Sequence, residues 1–284
     1  MLSPTIPSEV SDPVNAAILA VSEDRIAGFL DDPFAEIARL SGVPLHVVLE
    51  RIRAMLAAGT VRRVRQTLMA TNLAPGALVA WRVAPERLAQ AFDVMAKEDP
   101  FSGHVVIRST DAETPGSAYR LWTTLKVPQG FSMARHCELL LRLTGAEGYR
   151  LMPAKRLFAL GVGHVRRRGL APGSRSEEPG QVLDTNVVEL SAVEWRVLGP
   201  LKREFEVEEV REDPWSARAA EAGVSREEFL RVARGLAARG VIGRFSTFLE
   251  HVKPSAAGER VTRYNALFHW RVPPGREIDA GREV

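Results

Sequence analysis

The alternation of hydrophobic and polar residues along the chain predicts helices and strands in several compact parts. Residues 13–28 carry apolar side chains at helical spacing, and two more helices are predicted over 35–40 and 45–58. The third helix stops at Gly59, which suits a left-handed cap. The alternating stretches TVRRVRQTLMA and GALVAWRVAP are predicted as two wing strands. The pattern of residues 1–75 therefore predicts a winged helix-turn-helix.

Residues 76–165 have the pattern of a ferredoxin-like (βαββαβ) domain. The expected elements are strand 77–83, helix 85–97, strand 103–108, strand 119–126, helix 132–143 and strand 149–162. This order gives one sheet with both helices on one face. Leu139, Leu140 and Leu143 are expected to form the buried stripe of the second helix. The other face of the sheet needs a ligand or a second sheet to cover it.

The chain then contains an internal repeat. Arg, Gly, Pro and Ser interrupt the periodicity over 166–188, which is predicted as a linker. After it, EDPW at 212–215 matches DDPF at 31–34, and Arg244 matches Arg63 at the same offset. Duplication therefore predicts a second winged helix over 189–250. Residues 251–284 are interpreted as its wing and the start of a second, incomplete ferredoxin-like unit, so the fold class is α+β.

The stretch with the densest chemistry is the hairpin predicted over 103–126. His104, Val106 and Arg108 share one side of its first strand, because side chains alternate with a period of two. The second strand carries Tyr119 and Trp122. These residues indicate a binding or catalytic face, while an ordinary edge hairpin with solvated polar residues is the alternative.

Composition restricts the class of protein and its partners. With 45% hydrophobic and 26% charged residues, the chain is typical of a globular protein, and no apolar run is long enough for a membrane span. We expect a cytoplasmic protein, because the start of the chain lacks a signal peptide pattern and Cys137 has no cysteine partner. The net charge of +3 is small, but its arginines suit carboxylates or phosphates.

A winged helix often binds DNA, and this chain offers few residues for that task. The third helix begins with apolar Pro44 and Leu45, and its counterpart begins with Glu227 and Glu228. Apolar and acidic side chains are poor readers of an anionic groove. DNA is therefore the less expected partner.

Several basic residues lie on the predicted wings. Arg63 and Arg65 share a face of the first wing and either clamp carboxylates or are simply solvated. His251 on the second wing belongs to a second site or to a polar surface. Cys137 lies beside His136 without further ligands at metal spacing, so no zinc site is expected.

Four strings resemble a known family. The chain is similar to the Lrp/AsnC regulators and, more closely, to their enzymatic relatives, the siroheme decarboxylases of haem and haem d1 biosynthesis. AAGTVRRVRQTLMATNLAPGALVAWRV resembles that family's double-arginine wing and next strand, and GHVVIR, YRLWTTL and LMPAKRLFALGV resemble three of its later strands. The sequence departs from the family pattern at Val105, Val106 and Arg120, where the family has Asn, Tyr and Asn.

The resemblance implies an enzyme that removes acetate carboxyl groups of siroheme as CO2 without an added cofactor. In that interpretation His104 is the catalytic residue, as proton donor or as a ligand of the tetrapyrrole iron. The implied substrate-binding residues are Arg63, Arg108, Tyr119, Trp122, Arg244 and His251. The alternative is an Lrp/AsnC-type transcriptional regulator, or a tetrapyrrole-sensing DNA-binding protein without enzymatic activity. A homo-oligomer or a second subunit is the expected source of the missing sheet.

Overall fold

The structure is a computed structural model that divides into two compact units. It describes residues 6–69, 72–110, 113–159, 163–167, 181–185, 187–250, 253–254, 258 and 271–283. Unit 1 comprises 1–69, 158–181 and 190–284, and unit 2 comprises 70–157 and 182–189. Among the described helices, none has the length and apolar character needed to cross a bilayer.

Unit 1 begins with three helices followed by a strand, called the first three-helix segment below. The Asp12 carboxylate caps the first helix by accepting hydrogen bonds from the backbone N–H groups of Val14 and Asn15. Gly42 ends the second helix at a φ of 71°, a left-handed conformation that favours glycine. The elements are α1 (Pro13–Ser22), α2 (Pro33–Ser41), α3 (Leu45–Ala57) and β1 (Val61–Leu68).

Unit 2 contains a four-stranded antiparallel sheet and two helices. Its elements are β2 (Gly76–Arg82), α4 (Leu88–Asp93, between the 3-10 turn Pro85–Arg87 and the π-helical turn Val94–Glu98), β3 (Ser102–Ile107), β4 (Leu121–Lys126), α5 (Met133–Thr144) and β5 (Gly148–Pro153). The strands lie in the order β3, β4, β2, β5. This is the ferredoxin-like order predicted from the sequence, and the α+β class is confirmed.

One face of this sheet packs against the helices. Trp81 is completely buried there, and its Nε1 donates a hydrogen bond to Thr123 Oγ1 at 2.9 Å. The expected stripe of α5 was partly wrong, because Leu139 and Leu143 are 41% and 58% exposed. Leu140 is buried as expected. The inward positions beside it belong to Cys137 and Thr144, at the spacing of a single helix face.

The stretch after β5 is more divided than the sequence predicted. The expectation of one strand over 149–162 was wrong, because β5 ends at Pro153 and the next strand begins at Arg156. The Thr185 hydroxyl donates to the carbonyls of Ala154 and Lys155 in the interval. Residues 166–188, predicted as a linker, include a strand. The elements are β6 (Arg156–Ala159), α6 (His164–Arg167) and β7 (Gln181–Asp184).

Unit 1 continues with a second three-helix segment, in which three helices again precede a strand. Ser191 and Glu194 form a reciprocal capping box at the start of its first helix. The elements are α7 (Ala192–Lys202), α8 (Ser216–Glu221), α9 (Arg226–Ala238) and β8 (Ile242–Leu249), and a last helix, α10 (Glu277–Glu283), follows. Residues 259–270, where a second ferredoxin-like unit was expected to begin, lie outside the described residues.

The two three-helix segments are joined through their strands. β1 pairs antiparallel with β8, from Val61 opposite Leu249 to Leu68 opposite Ile242. The expectation that β1 and β2 form a two-stranded wing was therefore wrong, since β2 lies in the sheet of unit 2. Alternation identifies a strand but not its partner. The segments also share one aromatic core, in which the Phe34 ring lies 5.3 Å from that of Phe245.

Candidate functional site

The face of the four-stranded sheet opposite the helices carries the chemistry predicted for the hairpin. In β4, Leu121, Thr123 and Leu125 are buried toward the helices, so Trp122 and Thr124 face the other way. The register aligns side chains of all four strands in one row across this open face: Val106, Trp122, Ala80 and Arg150. The open face is therefore apolar at its centre and basic at its margin.

His104 is positioned by a bulge in β3. The pairing with β4 shifts between Ser102 and Val105, and the backbone N–H of His104 donates to the Thr124 hydroxyl at 2.8 Å instead. A Cβ on Gly103 would lie 2.8 Å from that same hydroxyl, so glycine allows the close approach. A bulge re-aims the side chain at its centre. His104 is exposed.

Arg108 is held against Trp122 at the far end of β3. Its guanidinium carbon lies 5.9 Å from the centroid of the Trp122 ring, and its backbone N–H donates to the Arg120 carbonyl at 2.8 Å. The Arg108 Nε is buried and has no hydrogen-bond acceptor within the described residues. A buried donor without an acceptor is costly. Arg108 is therefore prepared to receive an anionic group.

Tyr119 is brought to the same end of the sheet. Trp122 Nε1 donates to the Tyr119 carbonyl at 2.7 Å, and the Tyr119 ring lies 5.8 Å from the guanidinium carbon of Arg150. His104 and Arg108 are four residues apart in an extended strand, or about 13 Å. Arg108 and Arg150 are the two arginines that contact aromatic rings at this end of the sheet.

The other predicted site residues lie outside unit 2. Arg63 is in β1, where its Nη1 is 2.9 Å from Glu204 Oε1, so one edge of its guanidinium is already engaged. Arg244 is half-buried in β8, and its carbonyl accepts a hydrogen bond from Thr67. His251 lies outside the described residues. The structure thus brings His104, Arg108, Tyr119 and Trp122 onto one domain.

Two other titratable groups of unit 2 have raised pKa values. Burial, with smaller contributions from the charges of Glu138 and Asp99, raises the pKa of Cys137 to about 11, so its thiol is protonated at neutral pH. The hydrogen bond that Tyr149 donates to Glu138 raises the pKa of its phenol to about 12. In the part of the chain that the structure describes, no three His, Cys, Asp or Glu residues cluster to hold a metal ion.

Three residues of unit 2 and one arginine of unit 1 were not among the predicted site residues. Gly103 and Thr124 create the bulge, and Arg150 completes the row across the sheet. Arg65, grouped with Arg63 in the sequence but not selected, has a buried Nε without an acceptor among the described residues. The alternation of β5 would have placed Arg150 on the open face once the strand order was known, whereas the bulge depends on the register.

Comparisons with known proteins agree with this geometry. Residues 73–159 match the AsnC-like ligand binding domain family. Over these residues the chain is similar to that family. This domain coincides with the four-stranded sheet and its helices, so the resemblance inferred from the strings is confirmed for the fold.

Two solved structures share the wider fold. A crystal structure of the siroheme decarboxylase NirDL with an iron-uroporphyrin III analogue has a TM-score of 0.61 and 20% identity, covering 82% of this chain and 65% of that one. A structure of NirDL alone has a TM-score of 0.59 and 21% identity, covering 81% and 64%. This chain thus covers less than two thirds of the length of NirDL. Among curated proteins, no match was found.

Proposed function

We propose that this protein is a siroheme decarboxylase-like lyase that binds an iron tetrapyrrole on the open face of its AsnC-like domain. The observation that carries the proposal is that an exposed His104 and Arg108, whose buried Nε lacks an acceptor among the described residues, lie in one hairpin segment of this domain. The binding of an iron-uroporphyrin III analogue by the structurally similar NirDL supports it.

The proposed reaction needs a proton donor and an electron sink. Loss of CO2 breaks the bond between the carboxyl carbon and the methylene carbon of an acetate arm, and the bonding electron pair is delocalised into the conjugated ring. Protonated His104 then transfers a proton to that carbon, which leaves a methyl group, and His104 regains its proton from water. The electron count balances without an oxidant, so no added cofactor is proposed.

The remaining residues would hold and orient the substrate. Arg108 pairs with a carboxylate that is not lost, because a guanidinium offers a fork of donors to both of its oxygens. Tyr119 and Trp122 supply flat apolar surface at the margin of the macrocycle. We assign Arg63, Arg244 and His251 to further carboxylates. His104 is also a candidate ligand of the substrate's iron, which competes with its role as proton donor.

The proposed ancestry explains how the chain is built. We propose that the two three-helix segments are copies of one winged helix, since they follow the same order of elements at a constant offset of 181 residues. At this offset Val61 corresponds to Ile242, and Leu68 corresponds to Leu249. In the sheet Val61 lies opposite Leu249 and Leu68 lies opposite Ile242, so the first residue of each strand pairs with the last residue of the other, which supports this proposal. A second copy of the chain, or a second subunit, would cover the open face.

DNA reading is the weaker function, because the cations of α3 and α9 already have partners. Arg53 Nε donates to the Val210 carbonyl at 2.7 Å, and Arg226 lies 3.2 Å from Asp213. Arg234 forms an ion pair with Asp31. A helix that reads DNA needs such side chains available for phosphates and bases. The regulator alternative therefore has little support from charge placement.

Anaerobic titration with siroheme tests the proposal. We expect a shift of the Soret band on binding and, in the extracted pigment, a mass loss of CO2 units. His104→Ala should abolish the mass loss, and Arg108→Ala should weaken binding by about 1–3 kcal/mol. Arg142→Ala is the matched control, because Arg142 is exposed on α5 of the same unit.

The outcomes distinguish an enzyme, a tetrapyrrole sensor and a wrong assignment of the site residues. Binding without mass loss would reject the lyase and favour a tetrapyrrole sensor. Unchanged spectra and affinities in both site variants would reject the site assignment. A defined duplex motif selected at physiological salt would instead favour the regulator.

A further inference from the structure

A buried carboxylate holds the start of β3, the strand that carries the bulge at His104. The side chain of Asp99 is 3% exposed. Its Oδ2 accepts a hydrogen bond from the Ser102 hydroxyl at 2.6 Å, and its Oδ1 accepts one from the backbone N–H of Phe101 at 3.3 Å. Because the two donors belong to consecutive residues, one side chain fixes the entry of the chain into the strand.

An irregular turn of the preceding helix delivers Asp99 to this place. The turn Val94–Glu98 is π-helical, and the backbone N–H of Asp99 donates to the Val94 carbonyl at 3.0 Å. Met95 anchors the turn, because its side chain is completely buried. Single π-helical turns are rare and occur frequently at functional sites. The turn therefore points to a role for Asp99 beyond the core of unit 2.

His136 of α5 holds the same carboxylate from the side of the helices. Its Nε2 lies 3.0 Å from Asp99 Oδ1, without the alignment of a hydrogen bond, and its side chain is 11% exposed. Its ring also lies 5.0 Å from the Phe101 ring in an edge-on arrangement. A carboxylate with little access to water depends on such neighbours, because its burial is otherwise costly. Asp99 is thus fixed by α5 as well as by β3.

The bulge lies between this carboxylate and the next strand. Ser102 pairs with Leu125, the pairing shifts before Val105, and the N–H of the intervening His104 donates to the Thr124 hydroxyl at 2.8 Å. The carboxylate therefore holds one end of the bulge, and Thr124 holds the other. A bulge directs the side chain at its centre, so a change of register here would turn the side chain of His104.

We infer that Asp99, together with Ser102 and His136, is a positioning residue for His104. It acts through the backbone of β3 and needs no contact with a substrate. The inference deepens the proposed function and rests on it, because it explains how the proposed proton donor is held. Displacing a reacting group by about 1 Å lowers a rate by about 100-fold. Losing the positioning should therefore slow the release of CO2 more than it weakens the binding of siroheme.

Amide hydrogen exchange of His104 tests the positioning without any ligand. Its N–H is protected by the hydrogen bond to Thr124, and we expect Ser102→Ala to speed its exchange at least about tenfold. Ser102→Thr keeps the hydroxyl and should exchange like the wild type. Thr124→Val is the reference, because it removes the acceptor itself. Thr144→Val is the matched control, since the Thr144 hydroxyl donates to the Leu140 carbonyl at 2.7 Å within α5.

Single-turnover decarboxylation of siroheme supplies the second readout. Asp99→Asn keeps the size of the side chain and removes its charge. We expect this variant and Ser102→Ala to lower the rate about 10- to 100-fold, while the Kd for siroheme changes less than about twofold. Thr144→Val should change neither quantity, even if its Tm falls. An Asp99 with a structural role alone would lower the Tm and leave the exchange of the His104 amide and the rate as they are.

Three results would overturn the inference. Unchanged exchange of the His104 amide in Ser102→Ala and Asp99→Asn would show that the bulge does not depend on the carboxylate. Faster exchange throughout unit 2, matched by Thr144→Val, would be general destabilisation. Equal losses of rate and affinity would assign Asp99 to binding. Absence of CO2 release by the wild-type protein would reject the proposed lyase instead, because the exchange measurement does not use siroheme.

Discussion

Ile37 and Arg218 occupy matching positions in α2 and α8, 181 residues apart, and both are completely buried. Ile37 lies among the apolar side chains of the first three-helix segment. The guanidinium carbon of Arg218 lies 3.7 Å from the centroid of the Phe205 ring, in the aromatic core. Two segments with the same order of elements thus bury opposite chemistry at one position.

The difference lies in what the chain between the helices provides. Before α8, the carbonyls of Pro200, Arg203 and Glu204 accept hydrogen bonds from Arg218 at 2.8–3.1 Å, and Glu209 adds a carboxylate at 3.1 Å. A buried charge is tolerated only where such partners surround it. The comparison teaches that the buried arginine depends on the end of α7 and on the chain between α7 and α8, and not on the helix that carries it.

Ile37→Arg should destabilise the protein more than any other single substitution at these matching positions. It buries a charge in place of an apolar side chain, so we expect a loss of at least about 4 kcal/mol in the free energy of unfolding. Urea denaturation followed by circular dichroism measures it. Ala35→Arg, at an exposed position of the same helix, is the control with little expected effect. A small loss at Ile37 would mean that the first segment can also accommodate a buried charge.

Glu209→Gln tests the acceptor side of the same comparison. Burial alone would raise the pKa of Glu209, but hydrogen bonds from Arg203, from the Glu206 backbone and from Arg218 outweigh it and lower the pKa to about 2. A lowered pKa stabilises the fold above the ordinary value of 4.5 and loses that contribution as the pH falls toward 2. The variant should lose about 3 kcal/mol at neutral pH.

The measurement is the free energy of unfolding as a function of pH. The wild-type protein should lose stability between pH 4.5 and about 2, and the variant should show a flatter profile there. Glu208→Gln, at the exposed neighbouring position, should follow the wild-type profile. Parallel profiles for Glu209→Gln and the wild type would mean that the Glu209 carboxylate does not stabilise the buried Arg218.

Much of unit 2 could be predicted from the sequence, because each strand and helix there has one buried face. Alternation predicts His104 and Arg108 on one side of the first hairpin strand, but a register shift between Ser102 and Val105 interrupts that alternation. Unit 1 was harder. β1 pairs with β8 across more than half of the chain, and no local pattern contains that information. The side of α5 that turns inward was likewise set by contact with the sheet.

The site was predictable where it depends on alternation and unpredictable where it depends on register. The bulge at Gly103 is a shift in the pairing of β3 with β4 beside Thr124, and the residue pattern of β3 alone does not reveal how it pairs. The guanidinium of Arg65 lies over the ring of Phe248 in β8, and the two residues are distant in sequence. Arg218 has the sequence pattern of an ordinary surface cation of an amphipathic helix, since its carbonyl acceptors leave no trace in the sequence.

Ser246→Arg tests a second pair of matching positions. Arg65 and Ser246 are 181 residues apart and also face each other in the register of β1 and β8. The buried Ser246 hydroxyl donates to the Glu23 carbonyl at 2.6 Å, and an arginine there would lose this bond and oppose Arg65. We expect a loss of about 3 kcal/mol.

The double variant Ser246→Arg with Arg65→Ser decides how much of that loss is repulsion. It restores one arginine and one serine with their positions exchanged, so urea denaturation should show part of the stability recovered. No recovery would assign the whole effect to the lost hydrogen bond and to overpacking.

Trp215→Phe should have the smallest effect, because it gives the second segment the residue that the first has at the matching position, Phe34. Trp215 is completely buried, and its Nε1 donates to the Leu30 carbonyl at 3.0 Å. Phenylalanine keeps most of the ring contacts but loses this bond, so we expect a loss of about 1–2 kcal/mol in urea denaturation. Trp195→Phe is the control, because Trp195 is 52% exposed. Equal losses in the two variants would mean that the bond to Leu30 contributes nothing, and that either ring suffices at this position of the two segments.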